Sequence, residues 1–204
     1  PLKEIVLLCQ QFKAHLIVDE AHATGVVGDK GEGLVQVLQL EQHCFARVNT
    51  FGKALGCHGA VILGSNTLRE YLINFCRAFI YTTALPPVSI AAIKTVYQIF
   101  PQLGNERNRL EKLVAIFQSA NTKFKKLKSN TPVQSVIIQG NEEVKAIAAL
   151  CAQNNFDVRA ILYPTVPKES ERLRIVLHSF NTEAELNKLI QILDLTPASS
   201  KPKA

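Results

Sequence analysis

The chain's most constraining feature is an apolar run, Leu16-Ile17-Val18, that stops at Asp19-Glu20-Ala21-His22, followed later by Arg47-Val48-Asn49-Thr50-Phe51, which stops at Gly52-Lys53-Ala54-Leu55-Gly56. A short aliphatic run bounded by polar and glycine-containing stretches reads as a buried strand. In an open α/β sheet, ligands bind outside the carboxyl ends of the strands. Asp19 therefore faces a site, with His22 in the turn that follows. Lys53 lies in a glycine-flanked turn that continues poorly as strand or helix.

One carboxylate, one imidazole and one amine at strand ends suit a Schiff-base cofactor such as pyridoxal 5'-phosphate. That cofactor is an electron sink only while its ring nitrogen is protonated, so a carboxylate must pair with the pyridinium; Asp19 fits. Its aldehyde needs an amine whose ammonium form is destabilised by desolvation or neighbouring cations, so that it can attack and exchange; Lys53 fits. The ring hydroxyl wants a hydrogen-bond partner, for which His22 is the candidate.

Four segments, DEAHATGVVGDKGEG, NTFGKALGCHGA, IYTTALPP and YPTVPKESERLRI, occur in this order and resemble those of the α-oxoamine synthases. These are fold-type I pyridoxal-phosphate enzymes that condense an amino acid with an acyl-CoA and release carbon dioxide. IYTTALPP and PTVP resemble most the branch that works in biotin synthesis, although glycine C-acetyltransferases and other members share much of the signature. The resemblance implies an α/β chain made of the second half of a fold-type I large domain plus a small α/β C-terminal domain. It also implies a preceding half, with a glycine-rich phosphate loop and a residue stacked on the ring, that this sequence does not contain. An alternative is an inactive fragment that keeps the fold and serves as a dimer partner.

Position by position, the resemblance implies that Asp19 pairs with the pyridine nitrogen, His22 contacts the ring hydroxyl, and Lys53 forms the internal aldimine. Thr50 would bond the cofactor phosphate. Thr82 and Thr83 match positions that reach the phosphate held by a partner subunit, which implies a homodimer with active sites at its interface. Arg174 matches the residue that grips the amino-acid carboxylate, a role suited to a bidentate guanidinium. Thr165 matches a substrate-contacting threonine. Where the biotin-pathway enzymes commonly read Ile-Arg-Pro-Pro, this chain reads Ile161-Leu162-Tyr163-Pro164. The missing arginine leaves open whether the acyl group is charged like pimeloyl, shorter, or wholly apolar.

Each residue also has a plainer reading: Asp19 as a helix cap, Lys53 as a solvated lysine, Arg174 as a surface strand arginine. Asp19-Glu20-Ala21-His22 also spells the magnesium-binding motif of DEAH-type helicases. There a phosphate loop ending Gly-Lys-Ser or Gly-Lys-Thr should come first, whereas Gly52-Lys53 comes later and precedes Ala54. Gly25, Gly28, Gly31 and Gly33 do not form a dinucleotide fingerprint, since their spacing is wrong. Neighbouring Cys and His pairs at 43–44 and 57–58 lack metal-ligand spacing, so no metal is expected.

The chain has 204 residues, 47% of them hydrophobic, enough for one or two globular domains. The net charge of +6 concentrates between Arg107 and Lys128. That stretch reads as the solvated face of a helix with Leu110, Leu113, Val114, Phe117 and Phe124 on its apolar side, and not as a nucleic-acid interface, since no aromatic interleaves with the charges. Five scattered cysteines suggest a reducing, cytoplasmic setting. No stretch has the length of a membrane span, and Pro1-Leu2-Lys3-Glu4 does not read as a signal peptide.

Periodicity and breakers predict helices over Leu2–Phe12, Asn66–Cys76, Val88–Phe100, Glu142–Gln153 and Thr182–Leu193, with Pro86-Pro87 opening the third. Strands are expected at Leu16–Val18, Val61–Leu63 (antiparallel, given the short connection from Lys53), Val133–Gln139, Asp157–Ile161 and Arg172–His178. The expected domains are 1–100, the end of the cofactor-binding domain, and 101–195, the small domain. Residues 196–204, rich in Pro, Ser and Lys, are expected to be a disordered tail.

Overall fold

The computed structural model describes residues 1–195, so the tail expected to be disordered lies outside the described residues. The chain divides into two compact units, Pro1–Gly104 and a second that begins at Asn105.

In the first unit, α1 (Leu2–Gln11) buries Val6 against Val35 and Leu40, with Leu16 and Val18 packed alongside. A long crossover carrying the single turn α2 (Leu34–Val37) lets β1 (Ile17–Asp19) and β2 (Ala46–Thr50) run parallel, Ile17 beside Ala46 and Asp19 beside Val48. After the tight turn at Lys53, β3 (Ala60–Gly64) returns antiparallel, with Thr50 opposite Ala60, as expected from the short connection. The sheet order is β1-β2-β3. The carboxyl ends of β1 and β2 thus share an edge with the start of β3.

The pleat sorts the side chains of this sheet. Register partners share a face, so Ile17, Asp19, Val48, Thr50, Ala60 and Ile62 lie on one side, and Val18, Arg47, Asn49, Val61 and Leu63 on the other. The first side also holds Ala46, which is buried, but is otherwise open, with Ile17 60% and Ile62 50% exposed. On the second, Asn49 is buried. Three helices follow: α3 (Asn66–Phe75), capped by the Ser65 hydroxyl accepting from Leu68 N–H; α4 (Arg77–Ile80); and α5 (Pro87–Ile99), which begins at the predicted prolines.

The second unit contains α6 (Gly104–Ser119), β4 (Val133–Ile137), α7 (Asn141–Gln153), β5 (Arg159–Ile161), β6 (Arg172–Val176) and α8 (Glu183–Leu195). Its antiparallel sheet has the order β4-β6-β5. Phe117 and Leu113 of α6, Val136 of β4, Cys151 of α7, Leu173 of β6 and Leu193 of α8 form a closed core. A reciprocal cap starts α8: Glu185 N–H donates to Thr182 Oγ1 at 3.1 Å, and Thr182 N–H donates to Glu185 Oε2 at 2.8 Å.

The basic stretch departs from expectation. The helix stops at Ser119, and the chain beyond it is extended, with Leu127 N–H donating to Ser135 O and Ile137 N–H to Lys125 O. The Lys126 ammonium donates to the carbonyls of Phe117, Gln118 and Ala120, ending the helix that its own charge suggested would continue. Phe124 still packs on the core. On the inward face of β4 the polar Gln134 is fully buried, accepting from Gln118 Nε2 and donating to Thr131 O.

Glu171 pins the loop before α7, accepting from Gly140 N–H at 3.2 Å through Oε2. Bonds from its own backbone N–H and then that of Gly140 hold its carboxyl below the ordinary pKa. A depressed folded-state pKa contributes stability above the unfolded value, which is lost as pH falls through the folded one. Glu171→Gln should therefore flatten the acid limb of Tm against pH, below about pH 4.3, as measured by calorimetry.

Candidate active site

Four of the residues singled out in the sequence emerge together at the carboxyl edge of the first sheet. Asp19 ends β1 and is exposed on the open face, with Oδ1 accepting from Ala21 N–H at 2.8 Å. That bond closes a turn and is not the helix cap of the plainer reading, since the next helix begins only at Leu34; it holds the carboxylate in place. His22 follows in the same turn and is exposed. Thr50 ends β2, half-buried, on the same face as Asp19.

Lys53 stands at the tip of a turn closed by Gly56 N–H donating to Lys53 O at 3.1 Å and Cys57 N–H donating to Phe51 O at 2.7 Å. Gly56 takes φ +62°, a left-handed conformation that glycine adopts without penalty. The Lys53 ammonium is exposed and donates to Thr50 Oγ1 at 3.4 Å. Beneath the tip, Phe51 and Leu55 pack with Phe100.

Glu20, adjacent to Asp19, points the other way and is only 2% exposed. Its Oε1 accepts from Val35 N–H at 2.9 Å, and its Oε2 lies 3.6 Å from an Arg47 guanidinium nitrogen. Its backbone carbonyl accepts from the N–H groups of Ala23 and Thr24 and from the Thr24 hydroxyl. Oε1 is thus engaged in structure, while Oε2 has the Arg47 ion pair but no hydrogen-bond partner among the described residues. The sequence reading missed Glu20, Thr24 and Asn49 as site supports. Alternation along Val18-Asp19-Glu20 was the signal that could have found them.

The remaining candidates lie elsewhere. Thr82 and Thr83 are exposed between α4 and α5 of the first unit. Arg174 and Thr165 belong to the second unit. Arg174 is half-buried in the central strand β6, beside Ser135 and Arg159, and its Nε has no partner among the described residues. Thr165 is exposed in the connection from β5 to β6. Leu162 packs against the core of the second unit. Among the described residues no cluster of three His, Cys, Asp or Glu could hold a metal, and no helix is long and apolar enough to cross a membrane.

A family model, "Aminotransferase class I and II", matches residues 1–193. The chain belongs to that family. It is 38% identical over 205 residues to an 8-amino-7-oxononanoate synthase of Emericella nidulans, covering 95% of this chain and 50% of that protein. The crystal structure of 8-amino-7-oxononanoate synthase from Francisella tularensis superposes with a TM-score of 0.80 at 29% identity, covering 93% of this chain and 57% of that one. An SPT solved with its PLP internal aldimine superposes at 0.83 with 23% identity, covering 95% of this chain and 50% of that one; it bears on the fold alone. The fold is the fold-type I transferase architecture expected from the motifs. The chain spans about half the length of the curated relatives it matches.

Glu20→Ala would strand the Arg47 guanidinium and the Val35 N–H in a buried site, and should lower unfolding stability by about 3 kcal/mol. Denaturant titration of Glu20→Ala beside the exposed helix-surface control Glu111→Ala checks it; equal stabilities would contradict the structural role.

Proposed function

We propose that this chain is part of a pyridoxal-phosphate-dependent acyltransferase that condenses a small amino acid, L-alanine foremost, with an acyl-CoA, releasing carbon dioxide and CoA, as 8-amino-7-oxononanoate synthase does in biotin synthesis. The observation that carries the reading is the grouping of Asp19, His22, Thr50 and Lys53 at one sheet edge, in a chain 38% identical to such a synthase. The first unit would be the end of the cofactor-binding domain and the second unit, up to residue 195, the small domain.

The residues present fit the cofactor. An exposed amine stands beside a hydroxyl, and a carboxylate fixed through one oxygen occupies the same sheet face. When bound, pyridoxal phosphate supplies an electron sink for negative charge at the carbon attached to the substrate nitrogen. Lys53 would hold it covalently through Nζ and, once displaced by the amino acid, take the α-proton on the same nitrogen. Asp19 would keep a proton on the ring nitrogen, His22 would bond the ring hydroxyl, and Thr50 would donate to the phosphate.

Arg174 would grip the amino-acid carboxylate with two parallel bonds, a role its unpartnered Nε leaves open. Thr165 would contact substrate, and Thr82 and Thr83, exposed in the first unit, would reach the phosphate of a second copy in a homodimer working in the cytoplasm. Because Leu162 packs inward, we assign it to the core and leave the acyl end group to other residues.

In the full-length protein, Lys53→Ala should abolish the Lys53-dependent visible absorbance of bound pyridoxal phosphate, and an unchanged spectrum would refute the assignment. Arg174→Lys should raise KM for L-alanine roughly 30-fold, about 2 kcal/mol for a lost charge-assisted bond, with that absorbance intact. Steady-state kinetics with varied L-alanine checks it.

A further inference from the structure

On the buried side of the first sheet, two polar residues of no assigned role join the turn that carries His22 to the strand that carries Thr50 and Lys53. Asn49 Nδ2 donates to Thr24 Oγ1 at 2.7 Å, and the Thr24 hydroxyl passes its own proton to Glu20 O at 2.9 Å. That direction settles the amide. A hydroxyl that spends its one proton on Glu20 can only accept from Asn49, so the nitrogen faces Thr24. Asn49 Oδ1 is left without a donor among the described residues although the side chain is 4% exposed. A buried amide kept for one hydrogen bond, with its oxygen unsatisfied, is costly for packing alone.

A second contact links the same two turns. Gly25 follows Thr24 with φ +83°, and a Cβ there would lie 3.0 Å from Leu55 Cδ2 and 3.3 Å from Ala54 Cβ. The backbone beyond His22 therefore rests on the two residues that follow Lys53. A displacement of one turn is transmitted to the other through this contact and through the Asn49 to Thr24 bond.

We propose that Asn49 and Thr24 form a strut that sets the imidazole of His22 and the amine of Lys53 at a fixed separation, making both positioning residues for the group bound between them. The proposal rests on the pyridoxal-phosphate reading above for the identity of that group, but not for the strut itself. Neither residue touches the cofactor. Each acts through the backbone of the turn it anchors.

The test uses the full-length protein carrying Thr24→Val, Thr24→Ser or Asn49→Ala. The first readout is hydrogen–deuterium exchange of the cofactor-free protein. Thr24→Val and Asn49→Ala should speed exchange of peptides spanning residues 51–57 as well as 20–27, and Thr24→Ser, which keeps the hydroxyl, should match the parent. Faster exchange confined to the altered turn would overturn the strut. The second readout is a pH titration of the visible absorbance of bound pyridoxal phosphate, with its Kd. Thr24→Val and Asn49→Ala should move the titration midpoint and weaken binding about tenfold, the size of one lost buried hydrogen bond, again with recovery in Thr24→Ser. A lowered Tm with unmoved midpoint and Kd would mean that the pair merely stabilises the fold, and would overturn the positioning role. Asn49→Ala trims the side chain without placing a methyl against the Glu20 carbonyl, so it gives the same reading if Thr24→Val does not fold. Visible absorbance that does not depend on Lys53 in the parent would sink the cofactor reading, while the exchange measurement would still decide the strut.

Discussion

The site depends on a single consequence of strand geometry: consecutive residues face opposite ways. At the end of β1 that rule parts two carboxylates. Asp19 goes to the open side, where Ala21 N–H holds it, and Glu20 goes under the crossover, where Val35 N–H and Arg47 meet it. The two acids do different work because of where the pleat leaves them. An exposed carboxylate is available to a ligand, while a buried one is retained only when hydrogen-bonded and paired. The Glu20 carbonyl serves too, closing the turn that carries His22.

The two units contrast in how they satisfy their cores. The second closes on itself, with Phe117, Leu173 and Leu193 fully enclosed and both helix ends of consequence tied down, α6 by Lys126 and α8 by its reciprocal cap. In the first, burial is thinner and divided between small groups around Val35 and Phe51, and the sheet face bearing Asp19 and Thr50 keeps Ile17 and Ile62 in solvent.

Much of this was legible from residues alone. The helices around Val6, Ile93, Val144 and Leu189 announce themselves by period and breakers, and the antiparallel return of β3 follows from the short turn at Lys53. Asp19, His22 and Lys53 stood out at the strand ends, and Thr50 joined them only through the resemblance. The ends of α6 did not, because Arg107 to Lys128 keeps a helical mix of charge and apolar residues past Ser119. What stops the helix is a long-range choice by one lysine to bond three carbonyls. Gln134 likewise depends on its partners: Gln118 and Thr131 satisfy its amide, so a polar side chain can face the core. Thr24 and Asn49 were passed over because each is ordinary alone, and their meeting is made by the register of β1 on β2.

The crossover between Glu20 and Val35 also limits how the chain can change. Gly33 has φ +96°, and a Cβ there would lie 2.7 Å from Glu20 Oε1. Gly31 is as tightly placed, with a Cβ falling 2.8 Å from the Gly25 carbonyl carbon. Between Gly25 and Gly33, Asp29 and Lys30 are the exposed residues. For anyone redesigning this edge, the two glycines are the fixed points: a side chain at 33 would press on the buried carboxylate, and one at 31 on the backbone of the turn that follows His22.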